Sequence, residues 1–206
     1  MSQRVVMVDV GLGNLRSVAK AVETAGEAAS VELVRSSDPD VVKKADRLVV
    51  PGQGEFGSLA DKLENGLGEA IRERLEHGTP YLGICLGLQI LFESSEEAPG
   101  KRGLGWFRGS VRRLNGGPGI KIPHMGWNQI VPRNGGHALL PEDEWFYFVH
   151  SYHAVPEESD LVRASSSYGS NDVTAAVSRD HVVATQFHPE KSQAAGLTLL
   201  TAFLRS

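Results

Sequence analysis

Short apolar runs alternate with segments of helical period through the first half of the chain, and this alternation narrows the possible folds more than any other feature. Residues 5–8 form a continuous apolar run of the kind that fills a strand buried on both faces. A turn is predicted at Gly11-Leu12-Gly13-Asn14. A helix follows, in which Leu15, Val18, Ala19 and Val22 recur on one side, with Gly26 just past its end. Residues 31–34 and 48–50 predict two more strands, the latter stopped by Pro51-Gly52. Leu67, Ala70, Ile71 and Leu75 mark a helix that ends at Gly78. Residues 81–84 predict a fourth strand, which runs directly into a helix over 86–93. Strand, helix and strand with links this short demand parallel strands covered on both faces.

The second half reads differently. Residues 106–114, 127–131, 145–152 and 161–165 have strand character with no long helix between them. Residues 173–177 and 182–187 flank Ser-Arg-Asp-His as a hairpin, and 195–204 form an amphipathic closing helix. The prediction is one α/β domain over 1–206, with a central mostly parallel sheet, helices on both faces and an antiparallel extension. The first half has too few strands to bury a core alone, and a length of 206 residues suits one large domain.

Composition removes several function classes. Lys and Arg number 21 against 25 Asp and Glu, a net charge of -4, so no basic excess exists to neutralise a nucleic-acid backbone. The longest mostly apolar run, 81–92, contains Gln89 and falls short of the roughly 20 residues that span a bilayer. Met-Ser-Gln-Arg leads straight into the first strand without a signal-like apolar region, so a cytoplasmic location is expected. With one cysteine, Cys85, the chain can form neither an internal disulfide nor a multi-thiolate metal site.

The surroundings of Cys85 give it a chemical role. Gly83-Ile84-Cys85-Leu86-Gly87 joins a strand to a helix, the nucleophile-elbow arrangement with sulfur in place of oxygen. The glycines remove side chains that would clash at so sharp a turn, and the helix start favours the thiolate. The bland alternative is a small buried cysteine in a tight turn. A nucleophile needs a base, and the base needs an orienting group. His188 lies in Gln186-Phe187-His188-Pro189-Glu190 after the last strand. In an extended segment Glu190 would point to the same side as His188, beside its imidazole. A helix start beginning at Pro189 is the competing reading. Val50-Pro51-Gly52-Gln53-Gly54 ends another strand. No Gly-Lys-Ser/Thr follows it, so an oxyanion-binding turn suits it better than a phosphate loop. His150 and His153, taken as one strand, would face opposite sides and lack a carboxylate cluster, so no metal site is expected.

Together these segments resemble the class I, triad-type glutamine amidotransferases over most of the chain. Gly13-Asn14-Leu15-Arg16-Ser17, Pro123-His124-Met125-Gly126-Trp127-Asn128, the segment Phe146 to Tyr152 and Glu190-Lys191-Ser192 further resemble the glutaminase subunits of imidazole glycerol phosphate synthases. The resemblance implies a flavodoxin-like sheet, L-glutamine as substrate, and neither metal nor organic cofactor. It implies a heterodimer with a (βα)8-barrel cyclase that receives ammonia and makes imidazole glycerol phosphate and aminoimidazole carboxamide ribotide for histidine biosynthesis. It assigns catalysis to Cys85, His188 and Glu190, and oxyanion binding to Leu86, Gly52, Gln53 and Gly54. Glutamine binding falls to Gln89, Glu97, His150, Ser151 and Tyr152, and partner contact to Asn14, Arg16, Trp127 and Lys191. Two positions depart from the family: Gln53 stands where valine is usual, and Val10 where tyrosine is usual. The glutaminase subunits of pyridoxal 5′-phosphate synthases have a similar size, but their Gly-Gly-Glu-Ser strand is absent here. A non-catalytic module of this fold would have lost a triad member, and a cysteine peptidase of this fold would usually lack the His-Pro-Glu segment.

Overall fold

The computed structural model describes residues 3–11, 14–27, 31–141 and 144–206. The first half contains β1 (Gln3–Val8), α1 (Leu15–Gly26), β2 (Val31–Ser36), α2 (Pro39–Val42), β3 (Arg47–Gly52), α3 (Phe56–Leu63), α4 (Leu67–Glu76), β4 (Tyr81–Cys85) and α5 (Leu86–Gln89). The second half adds β5 (Ser94–Ser95), β6 (Gly109–Arg113), β7 (His124–Gln129), β8 (Val131–Pro132), β9 (Trp145–His150) and β10 (Tyr152–Pro156). It closes with β11 (Val162–Tyr168), β12 (Asn171–Arg179), β13 (Val182–Thr185) and α6 (Gln193–Arg205).

An eight-stranded sheet runs in the order β2-β1-β3-β4-β13-β12-β11-β8. The pairs from β2 to β13 are parallel, and those from β13 to β8 are antiparallel. The expected mostly parallel sheet with its antiparallel extension is therefore present. The run of residues 5–8 explains how both faces are filled. Val6 and Val8 join Val50, Phe56, Leu59 and Ile71 on one face, while Val5 and Met7 join Val18, Val22, Leu199 and Phe203 on the other. Each apolar strand thus serves two cores, one under α3 and α4 and one under α1 and α6. Two smaller sheets, β10-β6-β5 and β7-β9, stand beside the carboxyl ends of the parallel strands.

Several elements differ from the sequence reading. The helix expected over 86–93 stops at Gln89. The carbonyls of Ile90, Leu91 and Phe92 accept instead from the backbone N–H groups of Leu104, Phe107 and Gly105, which draws the chain out of helix. The strand expected over 145–152 breaks at Ser151. β9 pairs with β7, whereas β10 turns to β6, with Tyr152 opposite Arg113. β6 starts at Gly109 rather than at 106, β13 ends at Thr185 rather than at 187, and β11 begins at Val162. Gly26 is the last residue of α1 rather than the residue after it. α2 and α3 were not anticipated. α2 is a four-residue turn capped by the Asp38 side chain, too short to show a period. α3 does bury Phe56, Leu59, Ala60 and Leu63 on one face, a pattern present in the sequence and overlooked beside the glycine-rich turn. Leu12 and Gly13 of the predicted turn lie outside the described residues.

Candidate active site

β3, β4 and β13 lie side by side, with Gly52 paired to Cys85 and Thr185 to Ile84. Their carboxyl ends converge at one edge, where open α/β sheets place ligands. Cys85 joins β4 to α5 with φ 56 and ψ -104, a left-handed backbone for a residue with a Cβ. The flanking glycines are required by close approach. A Cβ on Gly83 would sit 2.4 Å from the Gly87 carbonyl oxygen, and one on Gly87 only 1.7 Å from that of Val50. The elbow is therefore wedged between its own backbone and β3, and the thiol is held at the strand tip.

His188 and Glu190 meet behind this tip. His188 Nδ1 lies 2.7 Å from Glu190 Oε1, and both side chains are fully buried. The geometry differs from the expected extended pair. Pro189–Lys191 is a 3-10 turn, so the helix-start reading and the imidazole–carboxylate contact hold together. The turn is pinned to β9: His188 N–H donates to Tyr147 O at 2.9 Å, and Ser192 Oγ accepts from Tyr147 N–H at 3.0 Å. Burial by itself would depress the His188 pKa. The charge of Cys85, with the charge and hydrogen bond of Glu190, outweighs it and raises the pKa to about 9. His188 Nε2 is buried and has no hydrogen-bond partner among the described residues, which leaves that nitrogen free for proton transfer.

A cavity of about 340 Å³ opens over the sulfur. Cys85, Leu86, Gln53, Gly54, Gln89, Glu97, His150, Ser151, Tyr152 and Lys191 line it, together with Pro123 and Val149. Its size suits a small amino acid. A larger depression of about 850 Å³ lies between Asp9, Arg35 and Asp61 and is lined by neither Cys85, His188 nor Glu190. Glu97 is positioned by α3, whose first N–H, from Phe56, donates to Glu97 Oε2 at 2.7 Å. Gly52 sits behind the cavity, and a Cβ there would press on Leu86 at 2.6 Å. Gln53 departs from an inert aliphatic residue in what it touches. Its Oε1 accepts from Asn14 N–H at 3.2 Å and its Nε2 is 3.5 Å from His188 Nδ1.

Of the predicted partner-contact residues, Asn14, Arg16 and Trp127 do not line the cavity, and Lys191 does. Asn14 caps α1, accepting from Ser17 N–H at 3.3 Å, and Arg16 is exposed in the first turn. Trp127 is 45% exposed on β7 beside Met125 at 62%, and Lys191 lies over the Tyr147 ring at 5.7 Å. His150 and His153 occupy different strands. His150 turns to His124, at 2.9 Å, whereas His153 Nδ1 accepts from Thr174 N–H at 3.4 Å.

Two neighbours of the site were missed as functional candidates. Gln186 is completely buried, and its Nε2 lies 3.5 Å from Cys85 Sγ. His124 stacks on Phe148 and Tyr168 at centroid distances of 4.8 and 4.0 Å. A glutamine at the end of an apolar strand and a histidine within an aromatic-rich hairpin were the available signals. Burial holds His124 low, at about 4. Burial likewise holds His150 low, at about 3, against the opposing hydrogen bond to the Tyr152 backbone.

Known proteins share this arrangement of sequence and fold. A family model described as "Glutamine amidotransferase class-I" matches residues 6–205. The imidazole glycerol phosphate synthase subunit HisH of Methanothermobacter thermautotrophicus is 48% identical over 201 residues, covering 97% of each chain. The subunit of the same name from Aquifex aeolicus is 48% identical over 205 residues, covering 98% of this chain and 96% of that one. A solved glutamine amidotransferase is similar in fold at 22% identity, with a TM-score of 0.71 over 98% of both chains.

Proposed function

The chain belongs to the class I glutamine amidotransferase family and serves as the glutamine amidotransferase subunit of an imidazole glycerol phosphate synthase; we propose that it releases ammonia through Cys85, His188 and Glu190. The observation that carries the reading is the buried His188–Glu190 contact of 2.7 Å behind a thiol that faces the 340 Å³ cavity. Glutamine lies in that cavity with its side-chain amide over Cys85. The thiolate attacks the amide carbon, forming a C–S bond and an oxyanion. The N–H of Leu86 and one from the Gly52-Gln53-Gly54 turn meet the oxyanion. A donor so placed is typically worth roughly 2.7 to 4 kcal/mol in the transition state. His188, charged at neutral pH because its pKa is raised to about 9, gives its Nε2 proton to the departing nitrogen. The C–N bond breaks and ammonia leaves a glutamyl thioester. Water then attacks, His188 Nε2 takes its proton, and collapse of the adduct breaks the C–S bond. Glutamate departs, and the thiolate and imidazolium are restored. Glu190 holds the Nδ1 proton throughout.

Ammonia passes to a cyclase subunit docked on the face beside the cavity. The outer side of the β7–β9 pair favours that docking. Met125, Trp127 and Trp145 are all exposed there, and Val149 and Lys191 continue the face to the cavity rim. Gln53 couples docking to catalysis. Gly54 has φ +120 with open space around it, so a peptide reorientation beside Gln53 is inexpensive. The Asn14 N–H contact with Gln53 Oε1 ties that turn to the start of α1. The purified chain should therefore release glutamate slowly, and a cyclase carrying its nucleotide substrate should accelerate it by about a hundredfold or more. Lys191→Ala should weaken the acceleration more than the basal rate. Equal rates with and without the loaded partner would rule out this gating.

A further inference from the structure

Two backbone carbonyls fix the direction of every hydrogen bond in a line of side chains that runs from the half-buried Asn128 to the catalytic sulfur. Tyr152 O can only accept. It receives Gln89 Nε2 at 3.0 Å and faces His150 Nδ1 at 2.9 Å, so both nitrogens carry hydrogen. Gln89 Nε2 also donates to Gln186 Oε1 at 3.0 Å. Gln186 therefore turns its oxygen to Gln89 and its amide nitrogen to Cys85 Sγ, at 3.5 Å. Turning the Gln186 amide over would set its N–H2 against that of Gln89. Turning the Gln89 amide over would set an oxygen against two others.

The line continues the other way. Because His150 Nδ1 carries the hydrogen, its Nε2 accepts from His124 Nδ1 at 2.9 Å. His124 Nε2 then accepts from Asn128 Nδ2 at 3.2 Å. Asn128 has the same orientation when read from its other side, since Nδ2 donates to Ser167 O at 2.9 Å and Oδ1 accepts from Gln129 N–H at 2.9 Å. Assignments begun at Tyr152 and at Ser167 agree, with both histidines neutral.

We propose that Gln186 is a positioning residue for thiol chemistry, its amide locked as a donor to Cys85 Sγ by the Tyr152 carbonyl acting through Gln89. An N–H aimed at sulfur makes its stronger bond when the sulfur is the charged acceptor. It also holds the sulfur in one direction at the strained elbow. The triad supplies the proton and the charge, and Gln186 supplies the aim. This inference rests on the glutaminase reading above, but its principal test does not.

Cys85 is the one cysteine of the sequence, so alkylation by iodoacetamide reports on it alone. Gln186→Glu keeps the acceptor for Gln89 and removes the donor to sulfur, and Gln186→Met removes both. Each variant should be alkylated about tenfold more slowly than the parent at neutral pH. With the cyclase and its substrate present, kcat should fall by about tenfold or more while the glutamine KM changes less than about threefold. Gln89→Met removes the donor that holds Gln186 Oε1. It should slow alkylation by roughly twofold to fivefold, and it tests the lock even where the Gln186 variants fold poorly. Parental alkylation rates, or a loss confined to KM, would overturn the proposal and make Gln186 a wall of the pocket. A parent chain that releases no glutamate with its loaded partner would instead overturn the glutaminase reading, and alkylation would still decide the role of Gln186.

Discussion

The buried histidines around this site fall into two groups, one charged and one neutral. His188 is 1% exposed, His124 2% and His150 6%, so burial alone would leave all three neutral. His188 lies against Cys85 and Glu190, and its pKa rises to about 9 despite desolvation. Among the described residues no carboxylate contacts His124 or His150. His124 stacks on Phe148 and Tyr168, the two histidines bond to each other, and burial holds them at about 4 and 3. The difference teaches that a histidine's neighbours, more than its depth, decide whether it moves protons or serves as a fixed, directional hydrogen-bonding link.

Removing the charged group should have the largest effect. Cys85→Ala should abolish glutamine hydrolysis while leaving the fold intact, since no thioester can form. In the parent, 6-diazo-5-oxo-norleucine should label Cys85 and nothing else, as read by mass spectrometry. His188→Ala should be nearly as severe. Glu190→Gln should be milder, by a margin on the order of a hundredfold, because the carboxylate orients the proton carrier without carrying protons itself. The double variant should lose no more than His188→Ala does. A Glu190→Gln enzyme more damaged than His188→Ala, or a double loss equal to the product of both, would break the comparison.

Protonation on folding should separate the two groups next. His188 is held above its ordinary 6.5, so its contribution to stability is full below about that pH and fades as pH rises through about 9. His124 and His150 are held below 6.5, so theirs is full above it and is lost as pH falls towards about 4 and 3. Urea unfolding across that range should show two limbs. Glu190→Gln should diminish the alkaline limb and His124→Phe the acid one. Both variants acting on the same limb would contradict the assignment of one charged and one neutral group.

Local sequence made the charged group legible and hid the neutral one. Gly83, Cys85 and Gly87 are close in sequence, and so are His188 and Glu190, so their motifs survive without knowledge of the fold. The sheet and its two covered faces were equally readable from the run of residues 5–8. The neutral group depends on register: His124 faces His150 only because β7 pairs antiparallel with β9, across 26 positions. Gln186 reaches the sulfur across 101 positions, because β13 lies beside β4. The shortened α5 follows the same logic, since the carbonyls that end it are captured by residues 104–107. No helical period records such long-range competition.

The smallest effect sharpens the comparison most. Asn128→Ala removes the donor to His124 Nε2 and the bond to Ser167 O, yet leaves the stack on Phe148 and Tyr168 untouched. A stability loss of about 1 to 2 kcal/mol is expected, with glutaminase activity changed less than about twofold. The instructive readout is the His124 ring. In the parent, nitrogen-15 NMR at neutral pH should show one neutral tautomer with hydrogen on Nδ1. Without Asn128, Nε2 loses the partner that opposes its protonation, so a second tautomer should appear and the pKa should rise from about 4 while staying below 6.5. An unchanged tautomer and midpoint would mean that aromatic burial and the bond to His150 hold His124 by themselves. Asn128 would then be a structural anchor for β7 alone.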